Sequence, residues 1–190
     1  MAIEYGYYLA IQKGATKLMI EKCCALTGHR PKKFPWGYDE TDTRCAALKK
    51  ALVEQVAKLV NAGYTDFLSG MAEGTDTWAA LAVLDLKKEN PALKLHCVLP
   101  CEGQADLWSV SARERYCSIL KQADSVLYVS REYSKDCMLK RNRFLVNYAA
   151  CLLAIYNGEQ RGGTAMTVRY ARKLGREVII LKPYVETPIP

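Results

Sequence analysis

The stretch "SGMAEGTD", Ser69 to Asp76, sets two glycines four residues apart between an apolar run and a long helical pattern, with Glu73 and Asp76 on either side of the second. A turn needs only one glycine. Gly70 is expected to let the chain leave a strand at positive φ, and Gly74 to let the backbone approach a ligand where a helix begins. A helix N-terminus offers unpaired N–H groups and a partial positive charge, which suits a phosphate. Asp76 falls in the first helical turn, either stabilising the helix start or accepting hydrogen bonds from ribose hydroxyls. Met71 and Glu73 belong to the same turn and complete its set of binding candidates. A branched side chain at position 74 is expected to exclude a phosphate while leaving the ligand-free fold intact.

Two further stretches carry related chemistry. "RGGTAMT", Arg161 to Thr167, places Gly162 and Gly163, the hydroxyls of Thr164 and Thr167, and a basic residue at another helix start, with Gly158 in the approach to it. The GxxxxGK spacing of a Walker loop is absent, as is GxGxxG, so a different phosphate or nucleotide pocket is implied. "TGHRP" supplies Gly28, His29 and Arg30. Arg30 is a fixed charge with a forked donor set suited to phosphate or carboxylate. His29 either donates a hydrogen bond, transfers a proton or braces its loop.

These residues need elements to position them, and the chain provides an alternating series. Apolar runs at "KCCALTG", "DFLSG", "LKLHCVLP", "DSVLYVS", "CLLAIYNG" and "REVIILKP" alternate with helical patterns. One such pattern runs from Asp42 with Leu48, Leu52, Val56, Leu59 and Val60 on one face, and closes at Gly63. Six apolar strands with helices between them predict an α/β fold: a single Rossmann-like domain whose mostly parallel sheet is flanked by helices on both faces. Its expected span is 21–183, preceded by an N-terminal extension, 1–20, that reads as an appendage or added helix, and followed by an extended tail, 184–190. In such a sheet ligands bind outside the carboxyl ends of the strands, which is where all three glycine-bearing loops fall.

Composition narrows the function. Half of the 190 residues are apolar, and no run approaches the roughly 18 apolar residues of a membrane span. The first twenty residues lack the pattern of a secretory signal, so a cytoplasmic protein is expected. Eight cysteines without a CxxC pair, beside two histidines, point to reduced buried thiols rather than a metal site or a disulfide framework; neither metal nor cofactor is expected. His96, inside an apolar run, reads as structural. The net charge of +7 is local: residues 131–176 hold ten Lys or Arg against three Asp or Glu, and the remainder balances at 17 against 17. That excess suits a phosphate-bearing partner or forms a solvated helix face.

"SGMAEGTDTWAA" with "KRNRFLVNYAACLLAIYNGEQRGGTAMTVRYARKLGREVIIL" is similar to the Rossmann-like core of the DNA-processing protein family (DprA, also called Smf). There a "SGxAxGxD" turn and an "RNR" segment precede a strand, a glycine-rich turn and a helix ending in "GREV". "CCALTGHRPKKFPWGYDE" resembles the YpsA-like branch of the same superfamily, SLOG. The resemblance implies a nucleotide-derived ligand, ADP-ribose-like or another phosphorylated nucleoside, held for sensing or sequestration. It adds Arg141 and Asn142 to the candidates, with Arg30 and Arg141 clamping phosphate, and it implies a homo-oligomer. Two alternatives accompany it. Single-stranded DNA is the partner of the DNA-processing proteins, for which Tyr133, Tyr148, Tyr156 and Tyr170 would be the stacking platforms. The LOG enzymes, which cleave cytokinin nucleotides, carry a "GGxGTxxE" turn; aligned on Gly163 and Thr164, this chain has Thr167 at the glutamate. A binding protein is therefore expected in preference to a hydrolase.

Overall fold

The computed structural model describes residues 10–13 and 20–183; the rest of the expected extension and the whole expected tail lie outside them. In chain order the elements are β1 (Ala10–Lys13), β2 (Cys23–Gly28), α1 (Thr43–Asn61), β3 (Asp66–Ser69), α2 (Thr75–Glu89), β4 (Lys94–Leu99), α3 (Val110–Gln122), β5 (Ser125–Tyr128), α4 (Cys137–Asn147), β6 (Cys151–Ile155), α5 (Gly163–Lys173) and β7 (Glu177–Leu181). All six expected strands form and run parallel, in a sheet ordered β1-β5-β4-β3-β2-β6-β7. Where an added helix was one reading of the first residues, Ala10–Lys13 is instead a strand, antiparallel to β5 with Ala10 opposite Tyr128.

The order has a direct consequence for the site. From β2 the chain steps outward through β3, β4 and β5, then returns to place β6 on the other side of β2. The direction of winding thus reverses between β2 and β6, the place where an open α/β sheet leaves a crevice at its carboxyl edge.

Both faces of the sheet are buried, which is why its strands read as continuous apolar runs. Cys24, Leu26, Phe67 and Leu95 point into a core shared with α1, α2 and α3. Cys23, Ala25, Leu68 and Val98, the alternate positions, face α4 and α5. The eight cysteines are free thiols and all but Cys117 are buried. His96 bonds Ser125 Oγ at 2.7 Å and Asp66 Oδ1 at 2.9 Å near the amino edge, away from the glycine loops, so its role is internal. Helix α1 starts where Asp42 accepts a hydrogen bond from the Arg44 N–H and ends before Gly63, whose φ is +96°. Helix α2 is buried throughout its first turns, from Thr75 to Ala80, where Trp78 is the one large side chain.

The loop between β2 and α1 is packed rather than free. After a short 3₁₀ turn at Pro31–Lys33, Phe34 stacks on Trp36 at 4.9 Å and on Trp78 of α2 at 5.5 Å between ring centroids. Glu40 then ties the loop to three helices, accepting from Lys49 Nζ of α1 at 2.5 Å, Trp78 Nε1 of α2 at 3.1 Å and Arg115 of α3 at 2.5 Å. Partial burial raises the cost of its charge, but these donors outweigh it and hold the carboxyl down at about 2. A group held below its unfolded value contributes stability above that value and loses it as pH falls through the folded one. Glu40→Gln should cost about 2 kcal/mol at pH 7, allowing for solvent screening at a partly exposed site. Urea denaturation should show that difference shrinking as pH is lowered from the ordinary glutamate range toward about 2.

Candidate functional site

Loops from the carboxyl ends of β2, β3, β4, β5 and β6 enclose a cleft of about 1240 Å³. Of the expected residues, Gly28, His29, Arg30, Glu73, Asp76, Arg141, Asn142, Gly162, Gly163 and Thr164 line it. Met71, Gly70, Gly74, Gly158 and Thr167 do not border the cleft. The reasons differ, and each corrects an expectation.

At the floor, Asp76 and Arg141 form a buried ion pair. Arg141 Nη1 donates to Asp76 Oδ2 at 2.9 Å, and the two residues are 4% and 3% exposed, respectively. The Ala72 N–H donates to the same carboxylate oxygen at 3.2 Å. Burial pushes the Asp76 carboxyl above its ordinary value, against the pull of Arg141 and the Ala72 N–H. That carboxylate oxygen and one guanidinium nitrogen are spent on each other, which limits what either group offers a ligand. Arg141 Nε has no hydrogen-bond partner among the described residues.

Gly70 serves this pair. A Cβ built there would lie 1.2 Å from Arg141 Nη1, so the absence of a side chain lets the guanidinium pass over the end of β3. The positive φ expected at Gly70 belongs to the next residue, Met71, at +56°. Met71 is fully buried in the core between the sheet and α1–α3, not in the cleft.

Gly74 does have a positive φ, +93°, and caps α2. Its close neighbours, however, are internal: a Cβ would lie 2.8 Å from Pro31 Cδ and 3.3 Å from the His29 carbonyl. That carbonyl accepts from Thr75 Oγ1 at 2.9 Å and Thr75 N at 3.5 Å. The packed loop therefore covers the start of α2, and the phosphate expected there has no access. Gly28 likewise makes room for Thr75, whose side chain a Cβ would meet at 2.4 Å.

His29 is a brace. It is buried, and its Nε2 lies 2.8 Å from Asn157 Oδ1 and 3.2 Å from Asn157 N, joining the loops after β2 and β6 across the switch point. Thr164 ties the same two loops, donating to the Gly28 carbonyl at 3.0 Å. Thr167 turns back on its own helix and donates to the Gly163 carbonyl at 2.9 Å. Gly158 lies in an exposed turn at φ +95°.

The start of α5 remains open to the cleft. Gly162 caps the helix at φ +106°, with no side-chain cap and no atom within 4 Å of a Cβ direction; Gly163 has only the Asn142 amide, at 3.9 Å. Its first-turn N–H groups therefore point their partial positive charge into accessible space. Arg161 is exposed beside them, and Arg30 is exposed opposite, its one side-chain contact among the described residues being a weak one from Nη2 to the Met138 sulfur at 3.9 Å. Glu73 lies at the centre of the wall, where burial raises its pKa and Arg30 and Arg115 oppose the rise.

Sequence reasoning missed the other half of the cleft. Gln104, Leu107 and Trp108 follow β4, and Arg131 and Glu132 follow β5. Their signal was the strand-end rule itself, applied to only three of the five loops. The expected basic excess is also not in the cleft, where six Lys or Arg face six Asp or Glu. It lies on the outer side of α4 and α5, which contain no acidic residue and expose Arg143, Arg169, Arg172 and Lys173. Of the tyrosines, Tyr133 is exposed on the cleft rim, whereas Tyr148 stacks on Phe144, Tyr156 is buried, and Tyr170 lies under Arg143 and bonds Asn147.

Comparison with known proteins gives a consistent picture. The family described as the YspA SLOG family, under the name YpsA, matches residues 24–180. A UPF0398 protein of Bacillus velezensis is 29% identical over 155 residues, covering 80% of this chain and 84% of the relative. One from Bacillus cereus is 32% identical over 157 residues, covering 81% and 84%. Among solved structures, the X-ray structure of DNA processing protein A (DprA) from Streptococcus pneumoniae superposes with a TM-score of 0.57 at 18% identity. It shares the fold over 85% of this chain, which spans half of that longer protein. No helix among the described residues is long and apolar enough to cross a membrane.

Two glycine substitutions test this geometry. Gly70→Ala should displace the Arg141 guanidinium and break the buried pair, lowering stability in denaturant by about 3 kcal/mol or more. Gly74→Val, expected from sequence to be silent in the ligand-free protein, should instead destabilise it, because position 74 combines positive φ with contact to Pro31.

Proposed function

The chain belongs to the YspA SLOG family, and on that premise we propose that it binds a nucleotide-derived ligand, ADP-ribose-like or another phosphorylated nucleoside, with a phosphate at the start of α5. The observation that carries this reading is the uncapped, accessible turn at Gly162 and Gly163 inside the cleft, with exposed Arg161 and Arg30 on either side. Amide donors at a helix start favour an anion, and two guanidinium groups add charge-assisted hydrogen bonds. Asn142, whose amide lies 3.9 Å from a Cβ built at Gly163 and which also lines the cleft, would contact the same group. The buried Asp76–Arg141 pair forms the floor and keeps the cleft walls in place. Sensing or sequestration is the mode that requires nothing further of these residues.

A hydrolytic role would require a carboxylate placed to act at the ribose–base bond, and in the resembling enzymes it comes from the turn at this helix. At the start of α5, the corresponding residue is Thr167, and its hydroxyl is turned to Gly163. Incubation with nucleoside monophosphates should release no free base above a protein-free control; base release that Asp76→Asn abolishes would favour the enzyme reading.

One observation favours a second partner. The acid-free outer face of α4 and α5, which exposes Arg143, Arg169, Arg172 and Lys173, has the charge for single-stranded nucleic acid. Binding there would weaken with salt at about −0.7 log units per log unit of salt for each phosphate contacted.

The cleft reading is tested by calorimetry with ADP. Gly163 is the first residue of α5 without a positive φ, so Gly163→Val adds a side chain to open space without backbone strain. It should leave the thermal midpoint near that of the wild type and weaken ADP binding about tenfold or more. Unchanged ADP affinity in this variant would remove α5 as the phosphate site.

A further inference from the structure

The side of the cleft away from α5 carries a different chemistry. Leu107 is 99% exposed, Tyr133 72%, Val110 62% and Tyr38 57%, the four most exposed large apolar side chains among the described residues. Singly scattered surface apolar residues are ordinary. Here Leu107, Tyr133 and Tyr38 all line the cleft, from three separate loops, and Val110 begins α3 two residues beyond the cleft-lining Trp108. These loops are anchored: Gln104 Nε2 donates to the Gly70 and Met71 carbonyls, and the Glu102 N–H donates to the Arg131 carbonyl. The apolar rim is thus mounted on fixed backbone rather than on free loops.

Its distance from the anion-binding turn follows from the sheet. Helix α5 follows β6, whereas Leu107 and Trp108 follow β4 and Tyr133 follows β5. In the order β6-β2-β3-β4-β5 these are separated by three and four strand spacings, about 14 and 19 Å. The cleft volume, about 1240 Å³, also exceeds the roughly 300–1,000 Å³ usual for a small-molecule site.

Resting on the binding reading above, we infer that the rim of Leu107, Trp108 and Tyr133 is a base subsite, and that the ligand is a nucleoside diphosphate or a conjugate of one, oriented with its base there and its distal phosphate at Gly162 and Gly163. A flat base covers the rim side chains and removes their apolar surface from water. A second phosphate lengthens the ligand's reach from the α5 turn toward these side chains and passes Arg30, which follows β2 between the two ends.

Inorganic pyrophosphate, AMP and ADP separate the subsites in calorimetric titrations of wild type, Tyr133→Ala, and the Leu107→Ser/Tyr133→Ala double variant. Both positions are so exposed that the fold should not depend on them. The expected result is that ADP binds about tenfold more tightly than AMP, and that the double variant loses about tenfold in ADP affinity with pyrophosphate affinity unchanged. Equal ADP affinity in wild type and both variants overturns the base subsite while leaving the α5 phosphate site standing. Failure of wild type to bind either pyrophosphate or ADP overturns the phosphate site, and the base subsite with it.

Discussion

The buried pair between Asp76 and Arg141 is the constraint on which the site depends. Helix α2, which supplies Asp76, packs on one face of the sheet, and α4, which supplies Arg141, packs on the other. Their charged side chains meet over the carboxyl end of β3, so one ion pair fastens the two helical layers together at the edge where the cleft opens. Removing two charges from water is costly, and the attraction compensates only when geometry is good. That geometry requires a residue without a side chain at position 70, where any Cβ would occupy the guanidinium's place. It also uses the Ala72 N–H as a second donor to the carboxylate. The chemistry of "SGMAEGTD" is therefore mostly internal: Gly70, Ala72 and Asp76 cooperate to hold one arginine.

A second set of contacts decides where an anion can go. The His29 carbonyl occupies Thr75 at the start of α2, Pro31 presses on Gly74, and the Phe34–Trp36–Trp78 stack holds the loop down. On the other side of the switch point, His29 and Asn157 join the loops after β2 and β6, and Thr164 bonds the Gly28 carbonyl. Of the two glycine-rich helix starts on this edge, the first is closed by the protein itself and the second is open. The asymmetry arises from loop packing, since both turns have the backbone conformation an anion site could use.

The strands were legible because burial on both faces leaves continuous apolar runs, and the edge of the sheet that carries the cleft followed from the parallel connectivity. The residues in the glycine turns were legible as special, yet their partners were not. Nothing near Gly70 announces Arg141, which lies far along the chain, and nothing near Gly74 announces that Pro31 will cover it. A glycine needed for close approach looks the same in sequence whether the approaching group is a ligand or the protein's own side chain. Leu107 and Trp108 were overlooked for the opposite reason: they stand in a loop without a glycine pair, and their significance comes only from lining the same cleft. The charge excess at 131–176 was visible by counting, but its placement on the outside of α4 and α5 depends on which side of each helix packs against the sheet.

The central claim is that the anion-binding turn is the one at α5 and not the one at α2. It is tested most directly by titrating ¹⁵N-labelled protein with ADP and following the backbone amides of Gly74, Gly162 and Gly163 by NMR. The account predicts large, saturable shifts at Gly162 and Gly163, with Gly74 unmoved beneath the Pro31 loop. Shifts centred on Gly74, with Gly162 and Gly163 unaffected, would contradict it.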